Sequence, residues 1–261
     1  MKFLIQRTNG EVRHDFAFTL IENLRFRRWL DRRTNKNNYI VKFVDYNDEV
    51  LEPDDIYPMP FKPSHKDYVP VGSVEFVTDF LNHFYGIVPK PINVPPELAL
   101  RGFTQRHIFN GDETSYEGLT GKWFIKSNDK IKGYKEIHGF EESKRTSLPK
   151  GNYQYSQYIN IESEWRAFVY DKKLVGLQNY CGDFTVFPNV EKIKLMIAAY
   201  KSAPIAYTLD VGVDSEYDLT FVIECHDLFS CGLYGFNSAK YSTMLHRWFK
   251  EYLQNNVTFS K

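Results

Sequence analysis

Two apolar runs near the C-terminus, IAYTLDVGV and LTFVIE, enclose the polar turn DSEYD. Short β-branched runs around such a turn read as a hairpin, and this one constrains the chain more than any other stretch. A turn centred near Tyr217 places Asp210 almost opposite Glu224. Directly opposed residues of an antiparallel pair have Cβ atoms about 4.5–5.5 Å apart. Two facing carboxylates in so apolar a sheet repel and resist burial unless a cation lies between them. If the second strand runs on, His226 shares the face of Glu224, and Asp227 stands at the strand end. Asp210, Glu224, His226 and Asp227 are therefore the candidate metal ligands. Hard oxygen ligands suit Mg²⁺ or Mn²⁺ better than zinc. The plainer alternative is a hairpin whose carboxylates point to water, as exposed carboxylates usually do.

The segment ECHDLFSC also holds Cys225 and Cys231, and the third cysteine is Cys181. None forms the C-x-x-C pair on which zinc knuckles rely. His226 cannot replace one beside Cys225, because adjacent strand side chains point to opposite faces. The favoured reading is three small, semi-buried, reduced thiols in a cytoplasmic compartment. Hydrophobic residues form 43% of the chain and aromatics 16%, enough for a proper core. A formal net charge of zero argues against general nucleic-acid or membrane-surface binding. No stretch approaches the length of a membrane span, and MKFLIQRTNG turns polar too soon for a secretory signal.

Upstream, MKFLIQ and NYIVKFVDY read as strands around an amphipathic helix in TLIENLRFRRWLDRR, with Leu20, Leu24, Phe26, Trp29 and Leu30 at helical spacing. Arg25, Arg27, Arg28, Arg32 and Arg33 on that helix could hold phosphate, but such a run is more often a solvated face. LEPDDIYPMPFKPSHKDYVPVG reads mostly as loop. SVEFVTDFLNHFYG is a second helix, with Ser73 as N-cap and Gly86 as its stop. The proline cluster PKPINVPPEL marks a boundary near Pro95, giving domains 1–95 and 96–261. Beyond it GKWFIK, IKGYKEI, YQYSQYI, EWRAFVY and LVGLQNY are strands, and VEKIKLMIAAYKSA and SAKYSTMLHRWFKEYL are helices. Hairpins flanked by helices indicate an α+β fold, not a doubly wound parallel sheet.

Cations precede the hairpin. Lys126 ends the strand WFI, and Lys130 and Lys132 follow beside Gly133. In EWRAFV, Arg166 lies with Glu164 on the face opposite Trp165. Each lysine alone reads as solvated surface, but the set together with the carboxylates suits polyphosphate. No G-x-x-x-x-G-K-[ST] and no G-x-G-x-x-G occurs, so a nucleotide would lie between sheets.

In KWFIKSNDKIKG, SQYINIESEWRAFVYDKKLVGLQNYCGDF and YTLDVGVDSEYDLTFVIECHDLFSCGLYGF the chain resembles the ATP-grasp superfamily. It is most similar to the phage- and bacteria-associated clade named for one arginine and two lysines. YVPVGSVEFV and PINVPPEL resemble the segment that precedes the ligase fold there, so the likeness spans roughly residues 68–236. The resemblance implies an ATP-grasp domain over 96–261, with a nucleotide-binding subdomain to about residue 160 and a metal-bearing one after it. Residues 1–95 would be a small α/β pre-ATP-grasp domain. It implies an ATP-dependent carboxylate–amine ligase acting through an acyl phosphate, with ATP and Mg²⁺, or Mn²⁺, as cofactors. Its partners would be a carboxylate and an amine acceptor: a small molecule, a peptide or a protein tail. If phage-encoded, it would work in the host cytoplasm. Lys126, and Lys130 or Lys132, would contact phosphates; Gln157, Tyr158 and Ile159 would form the adenine hinge; Glu164 would line the ribose side. Arg166 would face the γ-phosphate, and Arg106 resembles the clade's upstream arginine. Asp210 and Glu224 would hold metal. Many superfamily members have E-x-N where this chain has Glu224-Cys225-His226. Imidazole is a poorer partner for Mg²⁺ than an amide oxygen. The alternative implied is a degenerate ATP-grasp protein that binds nucleotide or a protein partner without ligation.

Overall fold

The computed structural model describes residues 1–31, 39–47, 60–100, 102–140, 147–214, 216–217, 219–237 and 239–257. In chain order the elements are β1 (Lys2–Arg7), α1 (Asp15–Asp31), β2 (Ile40–Asp45), β3 (Val69–Val71), α2 (Val74–Tyr85), α3 (Pro96–Leu100) and β4 (Ile108–Asp112). There follow β5 (Gly121–Ser127), β6 (Lys135–Phe140), β7 (Asn152–Gln157), β8 (Ser163–Tyr170), β9 (Lys173–Gly182), α4 (Val190–Ala199), β10 (Ala206–Asp214), β11 (Leu219–Asp227) and α5 (Tyr241–Asn256).

Two compact units result. One comprises Met1–Val88, Pro204–Ala206 and Leu228–Lys261; the other comprises Pro89–Ala203 and Tyr207–Asp227. The division at Val88/Pro89 falls inside the proline cluster, seven residues before the boundary placed at Pro95. The C-terminal helix α5, which the sequence reading assigned to 96–261, belongs to the first unit. There it packs on α1 and β3, burying Met244, Leu245, Trp248 and Phe249. Spacing along a sequence shows which face of a helix is apolar, but not which distant element will cover it.

In the first unit a parallel sheet runs β2–β1–β3. β3 lies in the proline-rich stretch read as mostly loop; residues 51–59 of that stretch are outside the described set. Pro70 is tolerated because β3 is an edge strand, where a missing N–H costs little. α2 begins and ends where the sequence places it. The Ser73 hydroxyl accepts from the Phe76 amide at 3.2 Å, and Gly86 takes the left-handed conformation at φ 67°. On α1, Leu20 and Leu24 are buried, but Phe26, Trp29 and Leu30 are exposed, so the apolar stripe is narrower than its spacing suggests. Arg25 pairs with Glu22, and Arg27 donates to the Ala239 carbonyl, as residues of a solvated face do. Arg32 and Arg33 lie outside the described residues.

The second unit holds two four-stranded sheets, β4–β7–β5–β6 and β11–β10–β8–β9. Every strand pairing described in the first of these is antiparallel, as are β8–β9 and β10–β11. β4 and α3 are short and polar-interrupted and were not read from the sequence. Trp123, Ile125, Tyr153 and Tyr155 form a core on one face of the first sheet. Trp165, Ala167, Val169, Leu209, Val211 and Cys225 pack with α4 on one face of the second. The opposite faces carry Lys126 and Arg166.

Candidate functional site

The hairpin β10–β11 pairs Asp210 with Glu224 and Thr208 with His226. Strand alternation then puts Asp210, Glu224 and His226 on one face and Cys225 in the core on the other. Among the described residues, these three form a group whose ligand atoms all lie within 4.8 Å of one another. Asp227 is separated from it by the same alternation, on the side of Cys225. No cysteine enters the group: Cys225 and Cys231 are buried, and Cys181 is exposed at the end of β9.

Cations close on the carboxylates from both sheets. Arg166 donates from Nε to Asp210 Oδ1 and from Nη2 to Oδ2, both at 2.8 Å, in a bidentate pair. Both partners are buried, and the Asp210 side chain is only 2% exposed. His226 Nε2 lies 3.0 Å from Glu224 Oε1 and 3.5 Å from Asp210 Oδ2. Lys126, from β5, pairs with Glu224 Oε2. The result is an alternating row of charges: Lys126, Glu224, His226, Asp210, Arg166.

Burial opposes the charge on Asp210 and on Glu224. Arg166 and His226 overcome it at Asp210, and His226 and Lys126 at Glu224, so both carboxyls stay below their ordinary range. Burial alone would lower the His226 pKa, but Glu224 and Asp210 reverse this and push it up to about 9. Imidazolium thus occupies the position between the carboxylates in which a cation is required. A raised folded-state pKa stabilises fully below the ordinary value near 6.5 and ceases to do so as pH rises through about 9. Metal-free protein should therefore lose on the order of 3 kcal/mol between pH 6 and pH 10 through this group. Urea unfolding at the two pH values checks this, and His226→Gln should flatten the difference.

Arg106 is anchored beside the carboxylate row, where the charge of Glu224 acts on it against burial. β11 carries a bulge: Asp210 faces Glu224 but Val211 faces Val222, leaving Ile223 extra. Arg106 donates to the carbonyls of Val222 at 2.7 Å and Ile223 at 3.2 Å, and to Ser156 Oγ at 2.6 Å. Its guanidinium, whose pKa burial lowers to about 10, thereby satisfies carbonyls next to Glu224. It also covers the Phe221 ring, with 6.0 Å to the centroid. Beneath that ring a Cβ built on Gly212 would lie 2.5 Å from it. Gly212→Ala should destabilise the fold by about 1–3 kcal/mol in chemical denaturation.

The remaining candidates are placed as follows. Lys130 and Lys132 are exposed in the turn after β5, with Lys132 at φ 54°, and neither joins the charge row. Gln157, Tyr158 and Ile159 lead from β7 towards β8; the Tyr158 amide donates to the Lys122 carbonyl, and Lys122 Nζ lies 5.8 Å from the Tyr158 ring centroid. Glu164 is on the face of Arg166, and its carboxylate accepts from Tyr180. Tyr180 was missed by sequence reasoning. In LVGLQNY it looks like any strand tyrosine, and nothing in that run signals the bulge that projects it.

A family model described as "ATP-grasp domain, R2K clade family 2" matches residues 103–244, more than half of the chain. The chain belongs to this family. The match spans Lys126, Arg166, Asp210 and Glu224, and therefore the whole charge row of this ATP-grasp domain. Among solved structures, it is similar to the D-alanine–D-alanine ligase of Bacillus anthracis at 12% identity, 98% of each chain covered and a TM-score of 0.52. The ATP complex of that ligase gives 14% identity, the same coverage and a TM-score of 0.50. N5-carboxyaminoimidazole synthetase of Staphylococcus aureus gives 11% identity over 87% of this chain and 71% of that one, with a TM-score of 0.50. These likenesses establish the α+β ATP-grasp fold. No curated protein sequence matches the chain. Among the described residues, no helix is long and apolar enough to cross a membrane.

Proposed function

We propose that this ATP-grasp protein is an ATP-dependent carboxylate–amine ligase. One observation carries the reading: in an R2K-clade domain, Lys126, Arg166, Asp210, Glu224 and His226 converge from two sheets on a single charged row. Lys126, with Lys130 or Lys132, neutralises nucleotide phosphates, and the Gln157–Ile159 backbone receives the adenine. Glu224 and Asp210 with His226 would hold a divalent cation. The fit is chemically sound once His226 gives up its proton as the ion enters, because two carboxylates and a neutral imidazole then supply three donors within 4.8 Å. Asp210 retains acceptor positions beyond the two bonds from Arg166. Mg²⁺ or Mn²⁺, if held there, would supply neutralisation of phosphate charge.

An oxygen of the substrate carboxylate attacks the γ-phosphorus and ADP leaves, giving an acyl phosphate. Arg166 donates to the oxygens on which charge accumulates. The acceptor amine then attacks the acyl carbon, phosphate departs, and the amine loses a proton to give the amide. No side-chain nucleophile is needed.

ADP release assayed across amino acids and short peptides, offered as carboxylate and amine, tests the reading. Wild type should turn over ATP with at least one pair, and Glu224→Ala should reduce that turnover about 1,000-fold. Equal turnover by the variant overturns it. A second reading, a nucleotide- or partner-binding protein without ligation, is favoured by one feature: His226 and Lys126 already engage the carboxylates that the ion needs. It predicts ATP binding with no ADP release under any pair.

A further inference from the structure

β8 and β9 fall out of register at two points, between Glu164 and Trp165 and between Phe168 and Val169, and the first lies beside the charge row. Glu164 faces Cys181 and Trp165 faces Asn179, so Tyr180 is an extra residue bulged from β9. The Asn179 side-chain amide ties this bulge, donating to the Glu164 carbonyl at 3.2 Å and to the Cys181 carbonyl at 3.0 Å. The bulge re-aims Tyr180 over the neighbouring strand. Its ring lies under the Arg166 guanidinium, 5.5 Å from centroid to Cζ, and its hydroxyl hydrogen-bonds the Glu164 carboxylate. Asp210 meanwhile grips the same guanidinium in its plane.

We propose that Tyr180 is a positioning residue that sets Arg166 and Glu164 with one side chain, and that the Asn179-tied bulge exists to deliver it. An arginine held only at its edge by a carboxylate can still rock about that edge; an aromatic ring against its face removes this freedom. The phenol stays protonated, since burial and then the charge of Asp210 push its pKa far up, so it remains a donor to Glu164. Tyr180 thereby couples a residue on the γ-phosphate side of the proposed site to one on its ribose side. The catalytic part assigned to Arg166 rests on the ligase reading; the bulge and its contacts do not.

Two measurements separate the proposal from that reading. In the full-length protein, the Arg166 Nε–H resonance, assigned by its loss in Arg166→Lys, should exchange with water about tenfold faster in Tyr180→Leu than in wild type. Asn179→Ala, whose lost bonds go to backbone carbonyls, should give the same acceleration, and Tyr180→Phe a smaller one. In ADP release, Tyr180→Leu should lower kcat about 30-fold with KM for ATP changed less than about threefold, as loss of orientation does. Arg166→Lys/Tyr180→Leu should be slower than Arg166→Lys alone by only about threefold, the part of the effect that runs through Glu164 and not Arg166. Unchanged Nε–H exchange in Tyr180→Leu, or losses that multiply in full in the double variant, overturns the proposal. Absence of ADP release in wild type removes the ligase reading and leaves the exchange measurement to decide the role of Tyr180.

Discussion

Arg166→Ala should abolish measurable ADP release, a loss of about 10³-fold or more. An arginine that stabilises a transferring phosphoryl group is worth about 10³–10⁵ in kcat. The guanidinium is brought to bear by its sheet position, by the bidentate grip of Asp210 and by the ring of Tyr180. The control is Arg166→Lys, which keeps the charge but not the planar fork. It should hold the melting temperature within a few degrees of wild type and still lose about 100-fold in turnover. Turnover by Arg166→Ala within tenfold of wild type would sink the assigned role.

Asp210→Ala should be the most damaging change to stability, about 3–5 kcal/mol in urea unfolding at neutral pH. The carboxylate is almost inaccessible, and its loss strands the buried Arg166 guanidinium and removes one of the two anions facing His226. Breaking one side of a buried pair costs more than the pair contributes, because the remaining charge stays desolvated. Asp210→Asn should recover part of the loss, since its amide oxygen still accepts from Arg166. At Glu224, whose side chain is 23% exposed and whose partner Lys126 is 21% exposed, water can replace the lost partner. Glu224→Ala should therefore cost much less stability than Asp210→Ala while costing turnover.

Much of this site was legible in the sequence because strand periodicity is local. A polar turn between two β-branched runs fixes the opposition of Asp210 and Glu224. Period-two alternation then puts His226 with them and Cys225 in the core. Ser73 and Gly86 framed α2 for the same reason, since capping is decided within one turn of chain. Asp227 illustrates the limit of that logic: expected as a strand-end ligand, it is still paired in the ladder as the last residue of β11, and alternation puts it on the face of Cys225.

The sequence by itself determined the α+β class, the hairpin that carries the carboxylates and the cationic residues proposed for phosphate. These follow from side-chain period and turn chemistry over ten or fewer residues. Only the tertiary structure decided the rest. It paired Lys126 with Glu224 across 98 positions and drew Arg106 onto the carbonyls of a bulge more than 100 residues away. It also returned α5 to the first unit and turned Tyr180 onto Arg166. A bulge adds one residue to one strand, and a buried charge takes whichever partner the fold brings within reach. Both depend on register between segments far apart in the chain, and local pattern does not encode that.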